Sequence, residues 1–519
     1  MNPALPKPKT RSEALRWPHH LAAIDMGSNS FRLEIGEVVQ GGYRRLDYLK
    51  ETVRLGAGLD AEGLLTEEAA QRGLACLARF SQRLAGYAQP QVRAVATQTL
   101  REARNRDAFL ARAQPVLGHP IEVISGREEA RLIYAGVARL QPSEVPRLVV
   151  DIGGRSTEMI LGTGRVPSQT ESFRVGSVSL SMQYFPDGRL TKNAFRLAQI
   201  AAGAEFEEAL VPFARKHWQE ALGSSGTVGA VSQLLSASGI TDGSVTPDGL
   251  RWCIEQCLHA GHIERLALPG LKEERRLVIA GGLSILYTLA THFGIEALLP
   301  ARGALRQGVI FDLDERHGAE RDPAHAHDIR DASVRELQRR FMVDLPQAER
   351  VGSLADTLYA MVQPRATAEL PKDQRHELRR ELSWAAALHE TGMMISHHDH
   401  HRHSAYVLAH VDAAGFSQSQ QRRLAELVLA QRGSLRKSEP ALASEAFAWQ
   451  VLCLRLAIVK GHARRPVDLD ALVLRRTDGQ ARLEFSPGWV ERNPRTMYLL
   501  TEEVAAWERN GSLRLSLDA

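Results

Sequence analysis

Between residue 21 and about residue 315, segments with the two-residue period of half-buried strands alternate with segments whose apolar residues recur at helical spacing. Thr66 stands where it can cap a helix, and a strand is predicted at 91–95. A single helix is predicted from Thr99 through Phe109, followed by a strand at 121–124 that leads into another helix. This alternation predicts an α/β fold.

One strand–turn–strand pattern occurs twice in this part of the chain. DMGSNS at 25–30 and DIGGRS at 151–156 each follow an apolar run and precede an alternating stretch. Small residues in such turns let backbone N–H groups approach an anion closely, and the Asp at each strand end can hold a cation or a water. We therefore expect two α/β lobes whose turns face each other and clamp a phosphate chain with its metal.

The sequence changes character near residue 320, where glycine becomes rare and apolar residues recur at helical spacing. Beyond about residue 465, short alternating segments at 471–474 and 482–485 predict a small β-containing domain. The start of the chain lacks the apolar stretch of a signal peptide and is interpreted as a mobile lead-in. The predicted division is a lead-in at 1–20, lobe I at 21–140, lobe II at 141–319, an all-helical domain at 320–465 and a terminal domain at 466–519.

The composition is that of a globular protein with a large core, at 519 residues, 44% hydrophobic and 24% charged. A net charge of +4 is too small to indicate nucleic acid by itself, but it suits an acidic substrate if the positive charge is local. Four scattered cysteines favour a reducing compartment and buried core positions. The longest apolar run, 277–290, is too short to span a bilayer, so we expect a cytoplasmic protein without an integral membrane segment.

Three turns rich in glycine and serine, at 27–30, 153–156 and 223–227, can bind phosphate. Such turns supply backbone N–H and hydroxyl groups together, as a phosphate oxygen requires. An isolated turn of this kind can simply be a glycine-stabilised turn. Recurrence after a buried strand and an Asp favours the phosphate interpretation, because turn formation alone needs no repeated Asp.

Carboxylates occur near the same turns. Asp25, Asp151 and Glu158 lie at or just past predicted strand ends, and Glu129 lies one turn into a helix. A water that attacks phosphorus needs a positioned base, and the charge of the reaction needs a hard cation with oxygen ligands. Glu128 and Glu129 point about 100° apart on a helix, so one can face the cleft while the other caps the helix or faces solvent. For either glutamate the alternative is a first-turn acid that favours the helix dipole.

The chain resembles the exopolyphosphatase / guanosine pentaphosphate phosphatase family in motifs that follow the family's order. They are AIDMGSNSFRL at 23–33, ATQTLREA at 96–103, ISGREEARL at 124–132, DIGG at 151–154, STE at 156–158, GSSGT at 223–227, GGL at 281–283, LHE at 388–390 and HRHSAY at 401–406. The match covers nearly the whole chain. Each motif alone is weak, but jointly they are highly specific.

The resemblance implies the actin-like (ribonuclease H-like) ATPase fold and magnesium-dependent removal of a terminal phosphate. It also suggests a homodimer, and a monovalent cation such as K⁺ is an additional expectation. Glu129 matches the family's water-activating base, and Asp151 and Glu158 match acidic positions near the metal, with Asp25 predicted beside them. The predicted substrate-contacting residues are Ser28, Asn29, Ser30, Arg101, Gly153, Gly154, Arg155, Ser156, Ser225, Gly226 and Thr227.

Two of these arginines have alternative interpretations. Arg101 matches a substrate-gripping arginine near a helix start, but it can also be a surface residue. Arg155 replaces the third glycine of the family's usual DIGGGST, and a positive φ there would cost an arginine about 1–2 kcal/mol. Its counterpart in the first repeat is Asn29, so one copy already lacks glycine. Arg155 is either an added cation in the phosphate site or a side chain that points to solvent.

Histidines are densest between residues 389 and 403, where their spacing suggests metal binding. The resemblance suggests a helical domain related to metal-dependent His-Asp phosphohydrolases. The defining pair is His389-Glu390 here, which shifts the carboxylate by about one methylene, so we expect a scaffold that has lost its metal chemistry. The nearby cations can form a basic wall for long phosphate chains or a solvated face; they are Arg402, Arg422, Arg423, Arg432, Arg436 and Lys437.

The leading hypothesis is an exopolyphosphatase that shortens inorganic polyphosphate processively. Guanosine pentaphosphate hydrolysis (pppGpp to ppGpp) is the first alternative, because both substrates present a terminal phosphoryl group to the same turns. A kinase or ATPase of the same fold is a second, in which Gly281-Gly282 could serve an adenosine site. A non-catalytic sensor of polyphosphate or nucleotide is a third. No nucleic-acid partner is expected.

Overall fold

The computed structural model describes residues 19–321, 328–362, 367, 370–466, 468–477 and 480–518. Nearly all of the predicted lead-in lies outside these residues. The chain forms two compact units, Met1–His327 and Asp328–Ala519.

The first unit contains two five-stranded sheets with the same topology. The first consists of β1 (His20–Met26), β2 (Ser30–Val39), β3 (Gly42–Thr52), β4 (Val92–Ala96) and β5 (Ile121–Val123), in the order β3-β2-β1-β4-β5. The second consists of β6 (Arg147–Ile152), β7 (Thr157–Thr163), β8 (Val166–Phe173), β9 (Glu220–Ser224) and β10 (Leu299–Pro300), in the order β10-β9-β6-β7-β8. In each sheet an antiparallel meander of three strands continues into two parallel strands. The sheets and their meanders form lobe I and lobe II.

Within residues 19–321, ten α-helices accompany these sheets. They are α1 (Glu67–Arg83), α2 (Gln98–Glu102), α3 (Arg106–Leu117), α4 (Gly126–Leu140), α5 (Ser177–Tyr184), α6 (Lys192–Phe206), α7 (Gly226–Ala237), α8 (Pro247–Ala260), α9 (Glu273–Phe293) and α10 (Leu305–Arg321). Thr66 caps α1 as predicted, since its hydroxyl accepts a hydrogen bond from Ala69 N. The prediction of one helix from Thr99 to Phe109 is wrong, because the chain leaves the helical conformation at Ala103 and begins a new helix at Arg106.

Helices α4 and α10 cross between the two sheets. Helix α4 packs against β7 and β8, whereas α10 packs against β1 and β2. The crossing is close at two glycines: a Cβ on Gly308 would lie 1.7 Å from Leu132 O, and one on Gly136 would lie 2.4 Å from Ala304 O. No larger residue fits at either position without moving a backbone, so these glycines are required for the layer that joins the lobes.

Among the described residues, α9 is the one helix long and apolar enough to cross a membrane, with 21 residues. It is longer than the apolar run in the sequence suggests. Of its most apolar window, 67% is buried within the protein. Leu283, Leu286 and Phe293 on this helix pack in the core of lobe II. Its apolar character is therefore explained by packing inside the lobe.

The second unit is helical, with a small sheet near its end. Its elements are α11 (Ile329–Arg340), α12 (Leu345–Val362), α13 (Lys372–Leu388), α14 (His400–His410), α15 (Gln418–Ala430), α16 (Glu439–Leu442), α17 (Glu445–Lys460), β11 (Leu472–Thr477), β12 (Gln480–Phe485), α18 (Trp489–Arg492), α19 (Pro494–Asn510) and β13 (Arg514–Asp518). The three strands form one sheet in the order β11-β12-β13. All four cysteines of the chain are buried and free, which confirms that they are core residues. The predicted fold class, two α/β lobes followed by a helical region and a small β-containing end, is confirmed.

Candidate active site

The two repeated turns face each other, as the sequence predicts. A Cβ on Gly154 would lie 3.1 Å from the Cβ of Ser28 and 3.6 Å from Asn29 N. Beside this contact lies a cleft with an open volume of about 730 Å³. Of the predicted site residues, the cleft is lined by Asp25, Ser28, Asn29, Ser30, Glu129, Asp151, Gly153, Gly154, Ser156, Ser225, Gly226 and Thr227.

The third turn brings a strained serine to the cleft. Ser225 precedes α7 with φ 112° and ψ 163°, a conformation that is essentially restricted to glycine. Its hydroxyl is buried and has no hydrogen-bond partner within the described part of the chain, and the same is true of Ser30 Oγ. Both residues line the cleft. Buried polar atoms without partners are costly, so these hydroxyls fit a ligand rich in oxygen atoms.

Substitutions of Ser225 should separate backbone strain from ligand binding. Ser225→Gly relieves a conformation that costs about 1–3 kcal/mol, partly offset by the greater freedom of glycine in the unfolded chain, so Tm should rise. Ser225→Ala keeps the strain and only removes the unpartnered hydroxyl, so its Tm should rise less than that of Ser225→Gly. Both remove the hydroxyl and should raise KM for a phosphate substrate about tenfold. Thermal denaturation and steady-state kinetics measure the two effects, and an unchanged KM in both variants would contradict a role of Ser225 in binding.

The two hairpins carry opposite charges at equivalent positions. Asp25 stands opposite Arg32 in the β1–β2 register, whereas Asp151 stands opposite Glu158 in the β6–β7 register. Arg32 Nη1 donates to Asp25 Oδ2 at 3.2 Å, and Arg306 Nη1 lies 3.5 Å from the same oxygen. Asp25 is therefore neutralised by arginines, while Asp151 faces another carboxylate. The second hairpin is the better place for a cation.

Burial and mutual repulsion raise the pKa values of these carboxyl groups. Burial raises the pKa of Asp151 to about 7, and the charges of Glu129 and Asp25 add to this effect against a hydrogen bond from Ser224. Burial, with Glu129 and Asp151, also raises the pKa of Glu158 well above its usual value. A bound cation would reverse this arrangement by favouring the charged forms. The donor set of hard oxygen atoms fits Mg²⁺.

No three His, Cys, Asp or Glu side chains within the described residues are grouped so that they could hold a metal ion by themselves. This agrees with the habit of Mg²⁺, which is usually bound through one or two carboxylates, several waters and the phosphates of the substrate. Glu158 does not line the cleft, and its carboxylate accepts a hydrogen bond from Ser172 Oγ at 2.8 Å. Glu158 is the cross-strand neighbour of Asp151 and lies outside the cleft lining.

Glu129 enters the cleft from the first turn of α4. Ser125 caps this helix by accepting a hydrogen bond from Glu128 N at 3.1 Å. Arg101 does not line the cleft; its Nη1 donates to Glu129 Oε2 at 2.7 Å and to Ile124 O at 3.0 Å. Burial raises the pKa of Glu129, with Arg101 opposing the shift and Asp25 adding to it. The structure therefore places Arg101 where it holds the carboxylate of Glu129.

Glu128 neither caps the helix nor faces solvent, so that part of the prediction is wrong. Its side chain is only 1% exposed and accepts from Arg131 Nε at 2.7 Å. Arg131 also donates to Asp312 of α10 at 2.6 Å, as does Arg93 of β4. The members of this network lie on three separate elements, β4, α4 and α10. A local sequence pattern therefore does not reveal the network. Glu128 belongs to the packing between the lobes.

The side chain of Arg155 is neither a cation in the phosphate site nor a group that points to solvent, so neither interpretation describes it. Arg155 is absent from the described residues with positive φ, so the expected backbone strain does not arise. Its side chain does not line the cleft. Nε donates to Glu102 Oε2 at 2.8 Å, and Nη1 donates to Gly56 O at 3.1 Å. Arg155 thus connects the turn of lobe II to lobe I.

Sequence reasoning missed several cleft residues: Arg32, Thr97, Ser177, Arg275 and Arg306. A Cβ on Gly226 would lie 2.0 Å from Arg275 Nη2, so this guanidinium covers the start of α7. Arg32 could have been found, because it occupies the repeat position of Glu158. Arg275 and Arg306 lie on helices far along the chain with no local motif that marks them. Together they give the cleft positive charge beside its carboxylates.

Gly281 and Gly282 serve packing between helices. A Cβ on Gly281 would lie 2.5 Å from Ser177 O of α5, and one on Gly282 would lie 2.6 Å from Thr227 Cγ2. Ser181 Oγ of α5 also accepts a hydrogen bond from Gly281 N at 3.1 Å. The space beside these glycines is filled by protein, which removes the specific argument for an adenosine site of a kinase or ATPase there.

In the histidine cluster of the second unit, His389 and Glu390 make structural contacts, whereas Nδ1 of His400 and Nδ1 of His401 have no hydrogen-bond partner among the described residues. His389 is buried, with Nδ1 2.7 Å from Ala386 O, and Glu390 Oε1 accepts from Arg464 Nη2 at 2.6 Å. Burial lowers the pKa of His400 to about 4, with Arg432 adding to the shift. Burial and then Lys437 lower the pKa of His401 to about 4 as well. These two histidines are therefore neutral at pH 7.

The predicted basic wall is only partly available. Arg423 Nε donates to Glu381 Oε2 at 2.5 Å and Nη2 donates to Gln450 Oε1 at 2.7 Å, so its charge is used inside the unit. Arg402, Arg432 and Arg436 are exposed. The structure thus removes Arg423 from a surface track and keeps these three as surface cations.

Comparison with known proteins identifies the family. The Ppx/GppA phosphatase family model matches residues 35–317, and the model of domain III of the same family matches residues 329–504. The chain belongs to the Ppx/GppA phosphatase family, whose members are hydrolases that act on phosphate compounds, and its first unit has the predicted actin-like architecture.

Solved structures similar to the chain match 56–57% of its length. An exopolyphosphatase-like protein is 24% identical, with the match covering 57% of this chain and 97% of that one at a TM-score of 0.50. An exopolyphosphatase from Cytophaga hutchinsonii is 26% identical over 57% of this chain and 98% of that one, with a TM-score of 0.49. A PPX-GPPA enzyme of Aquifex aeolicus is 24% identical over 56% and 98%, with a TM-score of 0.48.

Proposed function

We propose that this phosphatase is an exopolyphosphatase, which releases orthophosphate from the end of inorganic polyphosphate with Mg²⁺. The proposal rests on one observation: the cleft combines phosphate-binding turns, arginines and clustered carboxylates around Glu129. The turns present N–H and hydroxyl donors to a terminal phosphoryl group. Arg32, Arg275 and Arg306 balance the charge of an anionic chain.

In the proposed reaction, a water beside Glu129 attacks the terminal phosphorus. Glu129 takes the proton of this water, the new P–O bond forms, and the bond between phosphorus and the bridging oxygen breaks. The shortened chain leaves with the electron pair of that bond on its new terminal oxygen. Arg101 keeps the carboxylate of Glu129 in place. Asp151, which lines the cleft, would hold Mg²⁺, with Glu158 next to it outside the cleft lining and Asp25 on the first hairpin. When bound, the cation neutralises the charge that develops on the phosphoryl oxygens.

A second candidate function is hydrolysis of guanosine pentaphosphate, which an adjoining pocket favours. This pocket has an open volume of about 830 Å³, and its lining includes Ser28 and Asn29 of the first turn. Its walls are largely apolar and include Met182, Phe185 and Leu277. An apolar pocket suits a nucleoside, whereas polyphosphate has no group to fill it.

Phosphate release from four substrates tests both functions with Mg²⁺ present: long polyphosphate, tripolyphosphate, guanosine pentaphosphate and ATP. An exopolyphosphatase should give the highest kcat/KM on long polyphosphate. Met182→Arg should place a charge in the adjoining pocket and leave polyphosphate turnover unchanged. If guanosine pentaphosphate is the better substrate and Met182→Arg impairs it alone, the second function replaces the first. Binding without turnover of any of the four would identify a sensor.

The stability of the metal-free protein should depend on pH through Asp151. Its folded pKa of about 7 lies above the unfolded value near 3.9, so folding takes up a proton between these values. The free energy of unfolding should therefore fall as pH rises from about 4 to about 7. Because Mg²⁺ favours the charged carboxylate, it should raise Tm more at pH 8 than at pH 5.

Thermal denaturation with EDTA or with Mg²⁺ at several pH values measures this dependence. Asp151→Asn provides the matched control, because an amide neither titrates nor binds the cation well. Its Tm should respond less to both pH and Mg²⁺. Equal Mg²⁺ effects in the wild type and Asp151→Asn would place the cation elsewhere.

A further inference from the structure

We propose that Arg155 is a positioning residue for Glu129, acting from lobe II on lobe I through a hydrogen-bonded relay of Glu102, Gln98 and Arg101. The inference rests on the proposed role of Glu129 as the base. It assigns a role to Arg155, which stands where the family usually has a glycine.

The relay is continuous. Arg155 Nε donates to Glu102 Oε2 at 2.8 Å, and Gln98 Nε2 donates to Glu102 Oε1 at 2.7 Å. Arg101 Nε and Nη2 donate to Gln98 Oε1 at 3.0 and 2.6 Å. Arg101 Nη1 then donates to Glu129 Oε2 at 2.7 Å. Each of the three intermediate side chains uses separate atoms for its two neighbours, so the whole series can form at once.

The amide of Gln98 fixes the direction of the relay. Its N–H₂ group must face a carboxylate and its oxygen must face a guanidinium, which is the arrangement between Glu102 and Arg101. Gln98 is buried, so its polar atoms have little access to water as a substitute. If Glu102 lost its negative charge or its orientation, the Gln98 N–H₂ group would lose its acceptor, and Gln98 would be held at its oxygen end alone. The position of Arg101, and with it that of Glu129, depends on the far end of the series.

The relay joins the two lobes at the phosphate-binding turns. Arg155 follows Gly153 and Gly154 in the turn of lobe II, and its Nη1 also donates to Gly56 O in lobe I at 3.1 Å. Glu102, Gln98 and Arg101 lie on α2, which follows the lobe I strand β4. A phosphate held between the turns therefore favours the lobe arrangement in which the relay is complete. Binding of the substrate therefore also positions the carboxylate of Glu129.

Kinetics of phosphate release from long polyphosphate with Mg²⁺ test the relay. Arg155→Gly, Glu102→Gln and Gln98→Leu should each lower kcat by up to about 10²-fold, as small displacements of a reacting group do, with a smaller change in KM. Arg155→Gly combined with Gln98→Leu should be no slower than Gln98→Leu alone, because one break already uncouples the series. Multiplying effects in the double variant would overturn the proposal.

Exchanging the charges of Arg155 and Glu102 tests whether kcat depends on the whole relay or only on the ion pair that joins the lobes. Arg155→Glu with Glu102→Arg restores the ion pair between the lobes, but it places a donor beside the Gln98 N–H₂ group. Turnover should stay low in this double variant, and recovery of kcat would show that the ion pair alone matters. Arg127→Ala is the matched control, since it removes the Arg127–Glu171 pair at 2.9 Å between α4 and β8 and should leave kcat unchanged.

Glu129→Gln distinguishes failure of the relay from failure of the proposed function. If Glu129→Gln remains active, Glu129 is not the base and the relay loses its purpose. If Glu129→Gln is inactive but Arg155→Gly and Gln98→Leu act independently, the base assignment stands and the relay alone is overturned. Tm values of all variants, measured by circular dichroism, identify any loss of activity that follows from unfolding.

Discussion

Glu129→Gln should lower kcat for phosphate release by about 10²–10⁴-fold, the usual contribution of a general base. The amide keeps the size of the side chain but cannot take the proton of the attacking water. Arg101 can still donate to the amide oxygen, so substrate binding should be nearly unchanged. Tm should stay constant or rise, because one of several mutually repelling carboxyl groups in a buried cluster is removed. Steady-state kinetics and binding of polyphosphate to the variant measure both parts.

Glu128→Gln is the control one residue away. Its carboxylate is tied to Arg131 and lies in the layer between the lobes, so the variant should lose stability and keep most of its turnover at low temperature. The two neighbouring glutamates should thus give opposite results, one in activity and one in Tm. A Glu129→Gln variant with more than a tenth of wild-type turnover, beside an inactive but folded Glu128→Gln, would reverse their roles.

Asp312→Ala should destabilise the fold by about 3–5 kcal/mol, since it leaves buried arginines without their partner. Asp312 is buried and accepts from Arg93 Nη1 at 2.6 Å, Arg131 Nη2 at 2.6 Å and Arg316 Nε at 2.7 Å. Although burial opposes it, these arginines hold the pKa of Asp312 well below its usual range. Its contribution is therefore fully present above the unfolded pKa near 3.9 and is lost as pH falls further.

Thermal and urea denaturation of the full chain at pH 8 and pH 5 measure this effect. The difference between wild type and Asp312→Ala should be the same at both pH values. Arg44→Gln is the control, because it breaks the Arg44–Glu37 pair, in which the Arg44 side chain is 71% exposed, and should cost no more than about 1 kcal/mol. Similar losses in the two variants would mean that the buried network contributes no more than a surface pair.

The sequence predicts the turns well because their chemistry is local. The repeated Asp, the small residues and the flanking strands are all visible within a dozen positions, and the cleft is lined by most of the residues that these patterns indicate. The break between α2 and α3 was missed, since Thr99–Phe109 contains no glycine or proline to mark it. The chain leaves α2 at Ala103, and Asn105, directly before α3, hydrogen-bonds through its side chain to the backbone of Leu65, a partner 40 residues away.

The contacts of the charged side chains could not be read in the same way. Arg101, Arg155 and Glu128 were each expected to meet substrate, solvent or a helix end, and each meets a protein carboxylate or guanidinium instead. A long side chain finds its partner in three dimensions, and the partners of Arg155 and Glu128 include residues on other elements of the chain. Arg275 and Arg306 show the converse, because they reach the cleft from helices that have no phosphate motif of their own.

The opposite charges of Arg32 and Glu158 bear on how such a cleft can originate. If two copies of one polypeptide met through this hairpin, both would carry the same residue at that position, giving either two arginines or two glutamates. A symmetric pair therefore cannot form a cleft with one anion-binding half and one cation-binding half. Joining the copies in one chain removes the constraint, because each copy then mutates independently. On this view, gene fusion came before the division of labour between the two hairpins.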